Sequence, residues 1–274
     1  MRSVAGRLLD VCDATRVDSQ AELVRSDEWI VVVNKPAGVS LATPRSQPVA
    51  AVRRLLDALR QEDRCALGDD AESLLLVHRL DVGTSGLVLL ARDADTHRHL
   101  AAAFAARRVA KSYAAVVWGR PLPRTGRWSW PLGPDRSDRR RMRVDAAGRS
   151  AVTDYVVAGG PRFASLVVLR PATGRTHQLR VHLAYAGHPI VGDDLYGGPR
   201  HRGVRDAGLR RALCPDHPLL HAWRLTIPEI AGRAAFSVSA PPPAEFAAAL
   251  RALGLSPLGE GETGAALAPP PIVF

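Results

Sequence analysis

Between Leu74 and Arg92 the chain reads LLLVHRLDVGTSGLVLLAR, two runs rich in Leu and Val separated by a polar, glycine-bearing segment. Each run falls far short of the roughly 20 apolar residues that cross a bilayer. Continuous apolar runs of this length, bounded by turn residues, read as buried strands. Whatever lies between them is held by a rigid scaffold while staying reachable, which makes Asp81 the first candidate for a reactive carboxylate. The same residue has a plain structural alternative, pairing with Arg79 or accepting backbone N–H bonds in a tight turn.

The 274 residues suffice for a substantial core, in one large domain or two small ones. Apolar residues make up 46% and aromatics 5%, a globular composition. No apolar run approaches bilayer length, and Asp10 and Asp13 interrupt the short apolar stretch near the N-terminus where a signal peptide would continue. A cytoplasmic protein with no membrane association is therefore expected. Cys12, Cys65 and Cys214 are odd in number, widely spaced and without a CxxC pair, so neither a disulfide framework nor a zinc site is indicated.

The net charge is +10, and Lys35 and Lys111 are the only lysines, so the positive charge is almost wholly arginine. Arginine forks match phosphate oxygens and their planar heads stack on bases, which points to a polyanionic partner. A compositional bias that replaces Lys by Arg throughout would give the same count. Clustering separates the two: Arg136, Arg139, Arg140, Arg141 and Arg143 form one group, and Arg200, Arg202, Arg205, Arg210 and Arg211 a second.

Along the chain, Trp29–Asn34 reads as a strand stopped by Pro36 and Gly38, and Val49–Leu59 as a helix with Val52, Leu55, Leu56 and Leu59 on one face. The acidic stretch Gln61–Ser73 reads as a solvated loop. Asp93–Arg108 reads as a helix capped by Asp93, and Tyr113–Trp118 as a strand. Prolines and glycines break Pro121–Pro134. Val152–Val157 and Phe163–Arg170 read as paired strands turning at Gly159-Gly160-Pro161, and Gln178–Ala186 as a helix closed by Gly187. Residues 1–24 form a short extension, residues 25–252 the folded domain, and residues 253–274, rich in Gly and Pro, an expected flexible tail.

The run HRLDVGTSG resembles the signature of the RluA-type RNA pseudouridine synthases. Four further segments fall in that family's order: NKPAGVS at Asn34–Ser40, KSYAAVVWG at Lys111–Gly119, DRRRM at Asp138–Met142, and TGRTHQLRVHLAYAGHPIVGDDLYG at Thr173–Gly197. The resemblance covers about residues 25–250. It implies an α+β fold with a mixed, largely antiparallel central sheet surrounded by helices, in a form without a separate RNA-binding module in front. It also implies isomerisation of specific uridines in ribosomal or transfer RNA by an essential Asp, with base flipping and without metal or cofactor.

That reaction breaks the bond from ribose to the base nitrogen, rotates the uracil and rejoins it through carbon 5. A carboxylate can serve as nucleophile at the anomeric carbon or at carbon 6, or as base at ribose carbon 2. Every route needs an ionised carboxylate in a site that excludes water, where burial alone favours the neutral acid, so a cation must accompany it. The resemblance assigns the carboxylate to Asp81, the cation to Arg180, with Arg175 as rival, and an aromatic ring against the uracil to Tyr113. Read alone, Tyr113 fits an ordinary strand aromatic better. Relatives use the arginine corresponding to Arg79 to fill the gap left by a flipped base or to pair with the RNA backbone. His78 and Lys35 adjoin the site in the same motifs. Thr84, Ser85 and Gly86 either bond phosphate or stabilise the turn, and Arg139, Arg140 and Arg141 belong to a loop that grips an RNA stem-loop in relatives.

RNA is thus the expected partner, with no protein partner indicated and a monomer as the default. Two other readings compete. A non-catalytic RNA-binding or ribosome-assembly protein would use the same cleft, and a Ser/His/Asp hydrolase around Ser85 lacks the GxSxG elbow.

Overall fold

The computed structural model describes residues 20–42 and 49–256. Strands β1 (Glu22–Ser26) and β2 (Ile30–Lys35) precede helices α1 (Ala50–Asp57) and α2 (Gln61–Ala66) and a 3-10 turn at Asp69–Ser73. Strands β3 (Leu75–Leu76) and β4 (Ser85–Ala91) bracket Asp81, and α3 (Ala94–Ala105) leads to β5 (Ala110–Trp118). Short strands β6 (Thr125–Trp128), β7 (Leu132–Pro134) and β8 (Met142–Val144) follow, then the hairpin β9 (Thr153–Gly159) and β10 (Ala164–Pro171). Helix α4 (Gln178–Tyr185), a 3-10 turn at Arg200–Gly203, α5 (Ala207–Ala212), β11 (Leu220–Ile227), β12 (Phe236–Ser239) and α6 (Ala244–Ala252) complete it.

Ten strands form one sheet in the order β1-β2-β4-β11-β5-β10-β9-β6, with β12 beside β11 and β3 beside β4, while β7 and β8 pair separately. The pairing of β4 with β11 is parallel and the other pairings are antiparallel, so the sheet is mixed and the fold α+β, as expected. Alternation along β2 and β4 sends side chains to two cores. Val31, Val33, Val88 and Leu90 pack with α1 on one face, and Ile30, Val32, Leu87 and Leu89 pack with Leu100 and Ala103 of α3 on the other. Both faces of this half of the sheet are covered, hence the unbroken apolar runs. A third core joins β5, β10 and β11 to α4 and α6.

Local chemistry accounts for the element ends. The Asp93 carboxylate accepts from the Thr96 N–H and hydroxyl at 2.8 Å each, capping α3. Gly187 takes φ +87° after α4, where left-handed geometry costs glycine little. The four apolar residues expected on one face of α1 and its continuation are all buried.

The stretch expected as a loop at Gln61–Ser73 instead contains α2 and the 3-10 turn. Glu62 and Asp63 in the first turn and Arg64 in the last complement the helix dipole, and Asp63 also accepts from the Leu23 N–H at 2.9 Å. Helix α3 ends at Ala105, short of the expected Arg108, because Arg107 adopts φ +58°. Strand β1 begins at Glu22, and Leu253 is buried against the core, so packing extends beyond both expected domain boundaries. Residues 1–19 and 257–274, including Cys12 and most of the expected tail, lie outside the described residues. Cys65 is exposed and Cys214 partly buried. No helix among the described residues is long and apolar enough to cross a membrane.

Candidate active site

A cleft of about 1450 Å³ opens over the sheet beside α4. Arg79, Asp81 and Thr84 enter it from the segment ahead of β4, Lys111 and Tyr113 from β5, Arg175 from the turn before α4 and Arg180 from the first turn of α4. Residues from far-apart segments meet there because β5 lies between β11 and β10, with Tyr113 opposite Ala222 on one side and Leu169 on the other. Lys111 and Tyr113 stand two apart on β5 and both face the cleft. Arg107, Arg127, Arg170 and Arg224 add to the lining, which is strongly cationic.

Two acids among the described residues line this cleft, and they differ. Asp154 is forked to Arg127 at 2.6 and 2.9 Å. No hydrogen bond or ion pair among the described residues engages the Asp81 carboxylate, although the Asp81 carbonyl accepts from Thr84 N–H at 3.0 Å and so shapes the turn. The negative charge of Asp81 bears on Lys35, Tyr113, His177 and Arg180. Burial, and secondly Asp81, push the Tyr113 phenol well above its ordinary range, so its hydroxyl keeps its proton.

Arg180 does not grip Asp81. Its Nε donates to Asp193 Oδ2 at 2.7 Å and its Nη2 to Asp193 Oδ1 at 2.8 Å, with Arg180 8% and Asp193 1% exposed. Burial opposes the Arg180 charge, yet the bonds and charge of Asp193, followed by the charge of Asp81, hold its pKa above the ordinary value. Arg180 therefore reaches Asp81 through space as a fixed positive charge. Arg175 also lines the cleft, but precedes the helix and donates Nε–H to the Ser150 carbonyl at 3.0 Å.

Several residues expected to touch substrate make close internal contacts. Lys35 is 0% exposed, and its Nζ donates to the carbonyls of Pro36, Val39 and Val82 at 2.8, 3.1 and 3.4 Å, stapling the turn after β2 to the segment that carries Asp81. Burial pulls its pKa down to about 7, opposed by the charge of Asp81. Ser85 is 4% exposed and bonded to His221 Nδ1 at 2.9 Å. His221 Nε2 lies 3.1 Å from the Ala240 carbonyl, which can only accept, so Nδ1 accepts from the serine. This sealed pair offers no nucleophile. At Gly86, φ is +117° and a Cβ would sit 2.4 Å from the Ala222 carbonyl oxygen, so the glycine serves the close approach of β4 and β11. Thr84 lines the cleft while also closing the Asp81 turn.

His78 borders the cleft, but its ring stacks on Phe104 at 4.8 Å and its Nε2 accepts from Leu89 N–H at 3.2 Å. Burial, then the charge of Lys111, lower its pKa to about 3, so it stays neutral. Arg79 is exposed at the rim. Arg139, Arg140 and Arg141 lie outside the cleft lining, in the turn before β8. Arg139 is exposed, Arg140 is forked to Asp138 at 3.0 and 2.8 Å, and Arg141 lies 5.4 Å over the Tyr196 ring. The second arginine group, around the 3-10 turn and α5, contributes nothing to the cleft lining among the described residues. Sequence reasoning missed Lys111, His177, Asp193 and Tyr196 as site residues, although all four sit inside the motifs quoted above.

The sequence model of the RNA pseudouridylate synthase family matches residues 29–185. The chain belongs to that family. This synthase is 37% identical over 207 residues to the dual-specificity RNA pseudouridine synthase RluA of Escherichia coli (strain K12), covering 75% of this chain and 85% of that one. It is 36% identical over 213 residues to the protein of that name in Vibrio cholerae, covering 77% and 82%. Among solved structures, human RNA pseudouridylate synthase domain containing 4 superposes with a TM-score of 0.68 at 28% identity, covering 86% of the synthase and 94% of that chain. The synthase is thus an isomerase that acts on RNA.

Proposed function

We propose that Asp81 is the carboxylate that acts on the target uridine, in ribosomal or transfer RNA, with Tyr113 and Arg180 around it. The observation that carries this is that Asp81 alone among the described cleft acids has its carboxylate free of any internal bond. An acid held ready for chemistry has to keep its oxygens available, and one that serves the fold does not. Arg180, fixed by Asp193, sets a positive charge near Asp81 without covering its oxygens. Lys35 holds the backbone beneath Asp81, and the protonated phenol of Tyr113 stands ready to donate at the flipped uracil.

A uridine inside an RNA chain reaches Asp81 only by leaving its stack, and the exposed Arg79 at the rim occupies the place it vacates. The arginines and Lys111 of the lining hold the flanking phosphates. The enzyme works as a single copy in the cytoplasm.

The test is tritium release from RNA labelled at uridine carbon 5, using total RNA from cells lacking the protein. Wild type is expected to release tritium, and Asp81→Asn to release none while binding the same RNA within about twofold and melting at an unchanged temperature. Turnover by Asp81→Asn near the wild-type rate would remove Asp81 from the chemistry.

A further inference from the structure

Tyr196 is assigned no part in the chemistry above, yet four separate parts of the site converge on it. Its hydroxyl accepts from the Met142 backbone N–H at 2.8 Å, at the start of β8, one residue after the Arg139–Arg141 turn. The same hydroxyl lies 2.8 Å from His177 Nδ1, at the residue that opens α4. Its backbone N–H donates to Asp193 Oδ1 at 3.2 Å, the oxygen that also receives Arg180 Nη2. Arg141 and Arg180 stack over its ring at 5.4 and 5.0 Å.

A hydroxyl has a single proton. Met142 N–H occupies one lone pair as donor, which leaves the proton and the second lone pair of the hydroxyl for the bond with His177 Nδ1. His177 itself stands at φ +55°, a left-handed conformation that costs a residue with a Cβ about 1 kcal/mol or more and persists only where the surroundings hold it. The hydroxyl of Tyr196 is such a hold. The start of α4 is thus set by a tyrosine that is also bonded to the strand behind the exposed arginine turn.

We infer that Tyr196 is a positioning residue that couples seating of the Arg139–Arg141 turn on RNA to the setting of His177 and Arg180 around Asp81. RNA drawn against the turn loads the backbone at Met142, and its N–H bond passes the constraint to the tyrosine hydroxyl. From there it reaches the strained first residue of α4 and, through Asp193, the guanidinium that faces Asp81. This rests on the reading of Asp81 as the acting carboxylate. The residue makes no contact with substrate in this scheme, and its effect is on how well the site is set once RNA is bound.

The experiment compares Tyr196→Phe, Arg139→Ala, their double variant, His177→Gly and Asp81→Asn with wild type, reading single-turnover tritium release, half-saturating RNA concentration and melting temperature. Tyr196→Phe keeps the ring and loses both hydroxyl bonds. It is expected to slow the saturated rate about tenfold while the half-saturating RNA concentration stays within twofold. Arg139→Ala is expected to weaken binding and also slow the saturated rate in wild type, but to weaken binding alone in the Tyr196→Phe background, because the coupling is already cut. His177→Gly suits the left-handed backbone, removes the same bond from the other side and preserves the fold if the phenylalanine variant melts early. It is expected to slow the saturated rate like Tyr196→Phe. If Asp81→Asn is inactive while Tyr196→Phe and His177→Gly both run at wild-type rates, or if the rate effects of Arg139→Ala and Tyr196→Phe simply multiply, the coupling is wrong and the Asp81 reading stands. If Asp81→Asn is active, the reading beneath the coupling falls and takes it along.

Discussion

Arg180 closes on Asp193 with both Nε and Nη2, at 2.7 and 2.8 Å, in a pair almost wholly removed from solvent. A buried pair of this kind adds little net stability over an apolar substitute, but removing one member leaves an uncompensated charge. Asp193→Asn is therefore expected to lower unfolding free energy by about 3 kcal/mol in urea titrations. Tritium release should fall as well, since Arg180 loses its fixed position. Arg180→Met combined with Asp193→Leu is expected to recover most of the stability and none of the activity. Recovery of both would show that the guanidinium is dispensable to the reaction.

Gly86 was a candidate for contact with RNA, and its surroundings give it a different duty. An added Cβ would lie 2.4 Å from the Ala222 carbonyl oxygen and 2.6 Å from the Ala222 nitrogen, both backbone atoms that cannot swing aside, at φ +117°. Gly86→Ala is expected to cost about 3 kcal/mol or more by parting β4 from β11. The melting temperature and soluble yield would fall with it, and a variant that melts like wild type but binds RNA poorly would restore the substrate role.

Two histidines, His221 fully buried and His78 half-buried, are expected to weaken the fold in acid. Burial, then Lys111, bring His78 to about 3, and burial, opposed by the bond to the Ala240 carbonyl, brings His221 to about 4. Both folded values lie below the unfolded value of about 6.5, so the unfolded chain takes up protons first as pH falls. The stability from keeping these rings neutral is complete above pH 6.5 and is lost as pH drops toward 4 and 3. Each ring contributes a slope of up to about 1.4 kcal/mol per pH unit in that window. Urea unfolding at pH 7.5, 6.5, 5.5 and 4.5 should show the decline, and His221→Gln should make it shallower. A flat profile down to pH 4.5 would contradict the assignment.

The arginine turn before β8 separates neighbours that look alike in sequence. Arg140 is already forked to Asp138, whereas Arg139 is exposed with no side-chain partner among the described residues. Neutralising a cation that touches phosphate reduces the dependence of log affinity on log salt by about 0.7 to 1 per charge. Arg139→Ala should show that reduction in filter-binding titrations, and Arg140→Ala should show about half of it or less. Equal reductions would mean that RNA displaces Asp138 from Arg140.

Much of the architecture was legible because its signals are local. The apolar runs around Asp81 became β4 and the short β3, the helical spacing after Val49 became α1, Asp93 capped α3 and Gly187 closed α4. The stretch Gln61–Ser73 is acidic and so resembles a solvated loop, but Glu62 and Asp63 at a helix start favour the helix. The motif order identified the family and directed attention to Asp81, Tyr113 and Arg180, all of which line one cleft.

What the chain alone determined, then, was many of the elements, the family and the residues gathered in its motifs, since propensity, periodicity, capping and motif spacing are properties of neighbours in sequence. What the tertiary structure decided was the partner of each polar group. Arg180 pairs with Asp193 and not Asp81, Ser85 with His221, Lys35 with three carbonyls, and Tyr196 with both Met142 and His177. A hydrogen bond depends on distances of a few tenths of an ångström between segments brought together by the sheet, and no pattern along the chain carries that distance. The free carboxylate of Asp81 is the remainder of that pairing, visible once every neighbour's partner is known.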